Sequence, residues 1–147
     1  MKAVLQRVTR AVVTVDGAPV GSIEKGLLVY LGVEKGDGQT EIDYIADKVR
    51  FLRIFPDTSG RMNFDVAEAK GSVLAVSQFT LLADCRKGRR PGFARAEAPK
   101  KAEELYTRFI KALRGRGLTV EEGRFGAHME VESLNDGPVT MLLDSCL

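Results

Sequence analysis

Apolar and polar side chains alternate from Lys2 to Val15 (KAVLQRVTRAVVTV). Period two with Val and Thr enrichment predicts one long strand, or a bent pair. Asp16-Gly17 is a turn signal, and Pro19 to Ile23 can return as a second strand. Gly26 to Val33 (GLLVYLGV) is apolar at both parities, as in a strand covered on both faces. Lys35-Gly36-Asp37-Gly38 turns the chain. The period then lengthens. Thr40 is placed as a helix N-cap, with Asp43 at the third helical position and Glu41 and Asp43 in the first turn. Ile42, Ile45, Ala46, Val49 and Leu52 share one face. The helix is expected to end near Phe55-Pro56, because Pro disfavours a helical residue before it.

Asp57-Thr58-Ser59-Gly60 is a polar turn. Ser72 to Gln78 reads as a buried strand, and Thr80 to Ala83 continues it or bends away. Residues 84–98 (DCRKGRRPGFARAEA) form a loop. Pro99 suits a first helical turn. Ala102, Leu105, Tyr106, Phe109, Ile110 and Leu113 recur at three- and four-residue steps, closed by Gly115 and Gly117. Three short strands are expected near 118–121, 125–133 and 138–143, split by Asn135-Asp136-Gly137-Pro138. With no repeat, linker or low-complexity segment, the 147 residues read as a single domain, 1–147. The order β-β-β-α-β-α-β-β-β predicts an α+β fold: largely antiparallel β-sheets forming a barrel-like body with two main helices packed on it.

Composition excludes several classes. With 44% hydrophobic and 29% charged residues the chain is an ordinary globular one, not a disordered tail, a fibre or a disulfide scaffold. Its longest apolar stretch, Leu27 to Val33, is far short of the roughly 20 residues of a membrane span. Met1-Lys2-Ala3 leads into strand-like sequence rather than a secretory apolar core. A cytoplasmic protein without membrane contact is expected. The net charge of +2 conceals an uneven distribution. Residues 86–116 carry eleven basic and three acidic side chains, whereas 117–147 carry one basic and six acidic. Such a block suits a polyanion, most often nucleic acid, although a solvated helix face with salt bridges has the same composition.

Cys85 and Cys146 match no metal or redox spacing. With His128 they make three candidate ligands, short of the usual four for structural zinc. No metal and no cofactor are expected, and the thiols are expected to be free and partly buried. Signatures of GxSxG, P-loop, GxGxxG and HExxH type are missing. His128 is the only imidazole. A Ser77–His128 pair with a carboxylate orienter is conceivable, and so is a structural or pocket-lining histidine. Ser77-Gln78-Phe79-Thr80-Leu81 ends an apolar strand with three hydrogen-bonding side chains around an aromatic. Polar groups at a buried strand end need partners or a ligand. Asn135-Asp136-Gly137-Pro138-Val139-Thr140 reads as a turn before a last strand, where Pro is tolerated.

Taken together, SQFTL in mid-chain and NDGPVT near the end resemble the D-aminoacyl-tRNA deacylases. MKAVLQRVTRAVVTVDG, RKGRRPGF and FGAHMEV are similar to that family as well, so the resemblance covers the whole chain. It implies hydrolysis of the ester joining a D-amino acid, or glycine, to the 3′-terminal ribose of tRNA. It implies a homodimer with an active site at each side of the subunit interface. Ser77, Gln78, Phe79 and Thr80 would line the pocket, with the backbone amides of Phe79 and Thr80 as oxyanion donors. Gly137 and Pro138 would form a cis dipeptide that enters the partner subunit's pocket and rejects L-aminoacyl-tRNA. Arg7 would help fix that dipeptide, and Met129 would lie near the terminal adenosine. The resemblance further implies assistance from the tRNA 2′-hydroxyl, which suits a chain without a visible triad. Arg86, Lys87, Arg89, Arg90 and Arg95 would then contact tRNA phosphates, with Lys100 and Lys101 assisting. Three rival readings stand beside this one: a non-catalytic RNA-binding module, a small Ser–His hydrolase of free esters, and a Thr80 hydroxyl nucleophile.

Overall fold

The long alternating segment is one strand, β1 (Lys2–Val15), and the sheet is built around it. The computed structural model describes residues 1–146. β2 (Ala18–Ile23) pairs antiparallel with the second half of β1, and β3 (Gly26–Gly32) with the first half. β8 (Glu130–Asp144) runs antiparallel along the other edge of β1. Asp16 and Gly17 both take positive φ in the β1–β2 turn, as a tight hairpin requires.

Beyond β3 the pairing changes direction. β3 is parallel to β6 (Ser72–Ser77), and β6 is parallel to β7 (Val120–Glu122). The sheet is therefore largely antiparallel, as expected, with β3–β6 and β6–β7 as parallel pairings that make it mixed. The cause is the helices. α1 (Gln39–Phe51) lies between β3 and β6, and α2 (Pro99–Gly115) between β6 and β7. A helical crossover returns the chain to the starting end of the sheet, which makes the next strand parallel. β2 then approaches β7: a Cβ on Gly21 would lie 2.3 Å from the Glu122 carbonyl oxygen. The six-stranded sheet is thus nearly closed into a barrel. A small ribbon of β4 (Phe55–Pro56) and β5 (Met62–Phe64) flanks it.

β3 is covered on both faces, as its composition predicts. Leu27, Val29 and Leu31 join the core beneath the helices, with Ile42, Ile45, Val49, Leu105, Phe109 and Leu113. Leu28 joins a second core with Val8, Ala11, Val13, Leu74 and Val76.

Several boundaries differ from expectation. α1 is capped by Gly38, not Thr40: Gly38 is extended, and the Glu41 carboxylate accepts its N–H at 2.8 Å. The helix stops at Phe51, before Phe55-Pro56, because Leu52 already takes extended dihedrals. Ser72–Ser77 ends one residue early, and Phe79–Leu82 forms a 3₁₀ turn. The tail holds two strands where three were expected, since β8 continues through Asn135–Pro138 as one strand whose pairing with β1 is interrupted at 136–139. Both thiols are exposed rather than partly buried, because Cys85 lies in the basic loop and Cys146 beyond β8.

Candidate functional site

β6 delivers the SQFTL segment to a cavity of about 750 Å3. Ser77 is the last residue of β6, opposite Leu31 of β3, and the Gln78 N–H donates to the Leu31 carbonyl at 2.8 Å. The chain then tightens into the 3₁₀ turn, whose first internal bond runs from the Leu81 N–H to the Gln78 carbonyl. The N–H groups of Phe79 and Thr80 precede that bond, in the position where a helical turn leaves donors unpaired. Ser77, Gln78 and Phe79 line the cavity. Thr80 does not: it is exposed, and its hydroxyl accepts from Gln78 Nε2. Phe79 is 55% exposed and meets Phe93 edge-on, with ring centroids 5.0 Å apart.

The opposite walls come from the start of α2 and from residues 125–131. Pro99 is the first helical residue and Ala102 follows one turn later, both facing the cavity. Phe125, His128 and Met129 complete the wall. Met129 needs the glycine at 123, where a Cβ would come 2.8 Å from its sulfur. The Ala75 carbonyl, two residues before Ser77, accepts from both Tyr106 Oη (2.8 Å) and the Gly123 N–H (3.0 Å). Burial, and then the nearby Glu122 carboxylate, push the Tyr106 phenol well above its ordinary pKa, so it stays a donor. Ser77 and His128 share the cavity wall, but among the described residues no hydrogen bond joins them. Phe93, Phe125 and Lys35 also line the cavity and were not singled out from the sequence. Phe93 and Phe125 stand inside the resembling segments RKGRRPGF and next to FGAHMEV's glycine, so their signal was present but had no spatial meaning.

Gly137, Pro138 and Arg7 lie elsewhere. The step from Gln6 to Val8 on β1 is matched by the step from Thr140 back to Asn135 on β8, so 136–139 bulges out of the ladder. Asn135 Nδ2 stitches the bulge, donating to the carbonyls of Arg7 and Val139 at 3.0 Å each. Arg7 is buried beneath it. Its Nη1 donates to the Ile54 carbonyl at 2.7 Å, and its Nε lies 3.0 Å from Asp136 Oδ2 without pointing its hydrogen at that oxygen. The Gly137–Pro138 bond is cis, and both residues are exposed. None of the three lines the cavity of its own chain.

The basic loop is closed by mutual backbone hydrogen bonds between Asp84 and Gly92 at 2.8 and 2.9 Å. Arg86 pairs with Asp84 through both arms of its guanidinium, Nε at 2.8 Å and Nη2 at 2.7 Å. Arg95 Nε donates to Glu34 at 2.6 Å. Lys87, Arg89 and Arg90 have no ion-pair partner among the described residues. Also among those residues, no group of three His, Cys, Asp or Glu side chains is placed to hold a metal ion, and no helix is long and apolar enough to cross a membrane.

Comparison with known proteins agrees along the whole chain. The family model described as D-Tyr-tRNA(Tyr) deacylase matches residues 4–144. A D-aminoacyl-tRNA deacylase of Symbiobacterium thermophilum is 58% identical over 145 residues, covering 99% of this chain and 96% of the relative. One from Thermotoga petrophila is 54% identical over 145 residues, with 99% and 97% coverage. A solved structure, that of the c-Myc DNA Unwinding Element Binding Protein, superposes with a TM-score of 0.93 at 42% identity, over 99% of both chains.

Proposed function

The chain belongs to the D-Tyr-tRNA(Tyr) deacylase family, and from that membership we propose that it edits tRNA carrying the wrong hand of amino acid, working as a homodimer in the cytoplasm. It is a hydrolase of the ester between a D-amino acid and tRNA. The further proposal is how handedness is read. The observation that carries it is a separation: Ser77, Gln78 and Phe79 line a cavity, while the bulge presenting Gly137 and Pro138 faces outward from the same chain. A second copy docked through β8 would bring each bulge to the other's cavity.

The surface suits such docking. Among the described residues β8 pairs only with β1, which leaves its other edge free. Leu134 is 52% and Leu142 82% exposed on it, a liability for a strand left in water. An editing site must accept almost any side chain but only one hand. A pocket shaped to a side chain cannot do this. Main-chain carbonyls of Gly137 and Pro138 can, by occupying the space an L side chain needs and accepting hydrogen bonds from the substrate ammonium. Glycine carries no side chain, so this fence admits glycyl-tRNA too.

The chemistry asks little of side chains. The ester is labile, and the tRNA 2′-hydroxyl assists its own deacylation. The protein supplies the amides of Phe79 and Thr80 to the developing oxyanion, and one such donor is worth about 2.7–4 kcal/mol. Gln78 and Ser77 shape the pocket, Met129 lies by the terminal adenosine, and Arg86, Lys87, Arg89, Arg90 and Arg95 meet tRNA phosphates. The deciding assay offers D-tyrosyl-tRNA and L-tyrosyl-tRNA in parallel. Rapid loss of the D ester with the L ester intact is expected. Binding of tRNA without cleavage would instead establish an RNA-binding module.

A further inference from the structure

A second cavity, of about 450 Å3, shares a wall with the first. Phe93 and Ala96 line the catalytic cavity, while Gly92, Ala94 and Arg95 line this one, so the single segment 92–96, a turn in which the Ala96 N–H donates to the Phe93 carbonyl at 3.1 Å, separates the two. Its other walls carry Asp84, Arg86, Lys87 and Arg90. Resting on the deacylase reading, we infer that this cavity seats an RNA phosphodiester next to the terminal nucleoside, with Lys87 and Arg90 as its cations and Asp84 as a resident anion that occupies Arg86 until phosphate replaces it.

The argument is one of chemistry and placement. Four cations border the cavity, and two are already matched. Arg95 is turned to Glu34, and Arg86 grips Asp84 with the two-armed geometry that fits carboxylate and phosphate alike. Lys87 and Arg90 are unmatched among the described residues. The pairing with Arg86 holds the Asp84 carboxyl far below the usual range, so the anion stays charged at any working pH. Yet the pair is exposed, with Arg86 87% accessible, and water screens it. A doubly coordinated phosphate that also meets Lys87 and Arg90 competes well for that guanidinium. A nucleoside in the catalytic cavity would place its 5′ phosphate at the dividing segment, within reach of these groups.

Two non-hydrolysable probes test this: 3′-(D-tyrosyl)amino-3′-deoxyadenosine, and the same group ending a CCA trinucleotide. Wild-type protein is expected to bind the trinucleotide more tightly, and the double variant Lys87→Ala/Arg90→Ala to lose that advantage while still binding the nucleoside. Asp84→Asn keeps an oxygen for the Arg86 N–H and removes only the charge. It is expected to tighten trinucleotide binding about three- to tenfold at moderate salt, to leave the nucleoside unchanged, and to do nothing when Arg86→Ala is already present. Equal affinity of wild type for both probes would overturn the inference. So would a gain from Asp84→Asn that persists without Arg86, since Asp84 would then act by plain repulsion. Failure to bind either probe would bring down the deacylase reading, and this cavity with it.

Discussion

A Cβ on Gly137 would lie 2.9 Å from Val139 Cγ2 and 3.1 Å from Arg7 Nη2, at a φ of +119° that L side chains rarely adopt. Gly137→Ala is therefore expected to lower stability by about 1–3 kcal/mol, read as a drop in thermal midpoint, and to erode rejection of L-aminoacyl-tRNA at temperatures where the variant is folded. Thr80 separates side-chain from main-chain chemistry. Its hydroxyl is bonded to Gln78 and stands off the cavity wall, so Thr80→Ala should turn over D-tyrosyl-tRNA at close to the wild-type rate. Thr80→Pro removes the proposed oxyanion donor instead, and should cost about 10²–10³ in kcat. If the alanine variant were dead, the hydroxyl would be the nucleophile after all. The strings SQFTL and NDGPVT mark the residues proposed for this site, and of these Ser77, Gln78 and Phe79 line the cavity. The orientation of Thr80 was not legible in the sequence, since it depends on a 3₁₀ turn that no local period announces.

At the scale of elements, apolar periodicity predicted β1, β3 and both helices, and each buries the face its pattern assigns. Ends were harder. Thr40 is a good cap residue, yet the cap falls two residues earlier, where the Glu41 carboxylate accepts the Gly38 N–H. The turn at 65–71 gives a test of how α1 is anchored. Arg50 Nη1 lies 2.7 Å from Asp65 Oδ2. Burial opposes the Asp65 charge, but the Glu68 N–H and Arg50 outweigh it, and its pKa falls below the ordinary value. A depressed carboxylate contributes stability above its unfolded pKa of about 3.9, and loses it as pH drops through the folded value. Asp65→Asn should destabilise the protein at pH 7 and narrow the difference between denaturant midpoints at pH 7 and pH 3. An unchanged difference would show that other carboxylates govern acid unfolding.

At the scale of the whole molecule, the proposed second copy comes to the test. If Leu134 and Leu142 are buried between subunits, Leu134→Asp/Leu142→Asp should sediment as a monomer and lose deacylation, though neither residue lines the cavity. Subunit mixing is more incisive. A chain with Gly137→Ala supplies a sound cavity but a damaged fence, and a chain with Thr80→Pro the reverse. Mixed dimers should regain one complete site and D-specific hydrolysis if the fence works across the interface, and regain nothing if each chain is self-sufficient. The charge distribution acts at this scale too: if the basic-loop cations that lack an ion-pair partner among the described residues meet phosphates as proposed, tRNA affinity should fall steeply with added salt. Flat binding between low and moderate salt would remove that loop from the tRNA contact.

By itself the sequence determined the repeat periods, hence the strands and helices, along with the motif strings and the basic block at 86–116. Those properties are local, or are sums over neighbours in the chain. Tertiary structure decided that β3, β6 and β7 run parallel, that the bulge at 136–139 turns away from its own cavity, and that Asp84 and Glu34 occupy two of the five loop arginines and lysines proposed for tRNA. Strand direction follows from where a crossover helix returns the chain, and ion pairing from which side chains end within a few ångströms. Strand direction and the Glu34–Arg95 pair depend on contacts between residues far apart in sequence, the short-range Asp84–Arg86 pair on a loop that Asp84 and Gly92 close, and hydrophobic spacing carries no record of them.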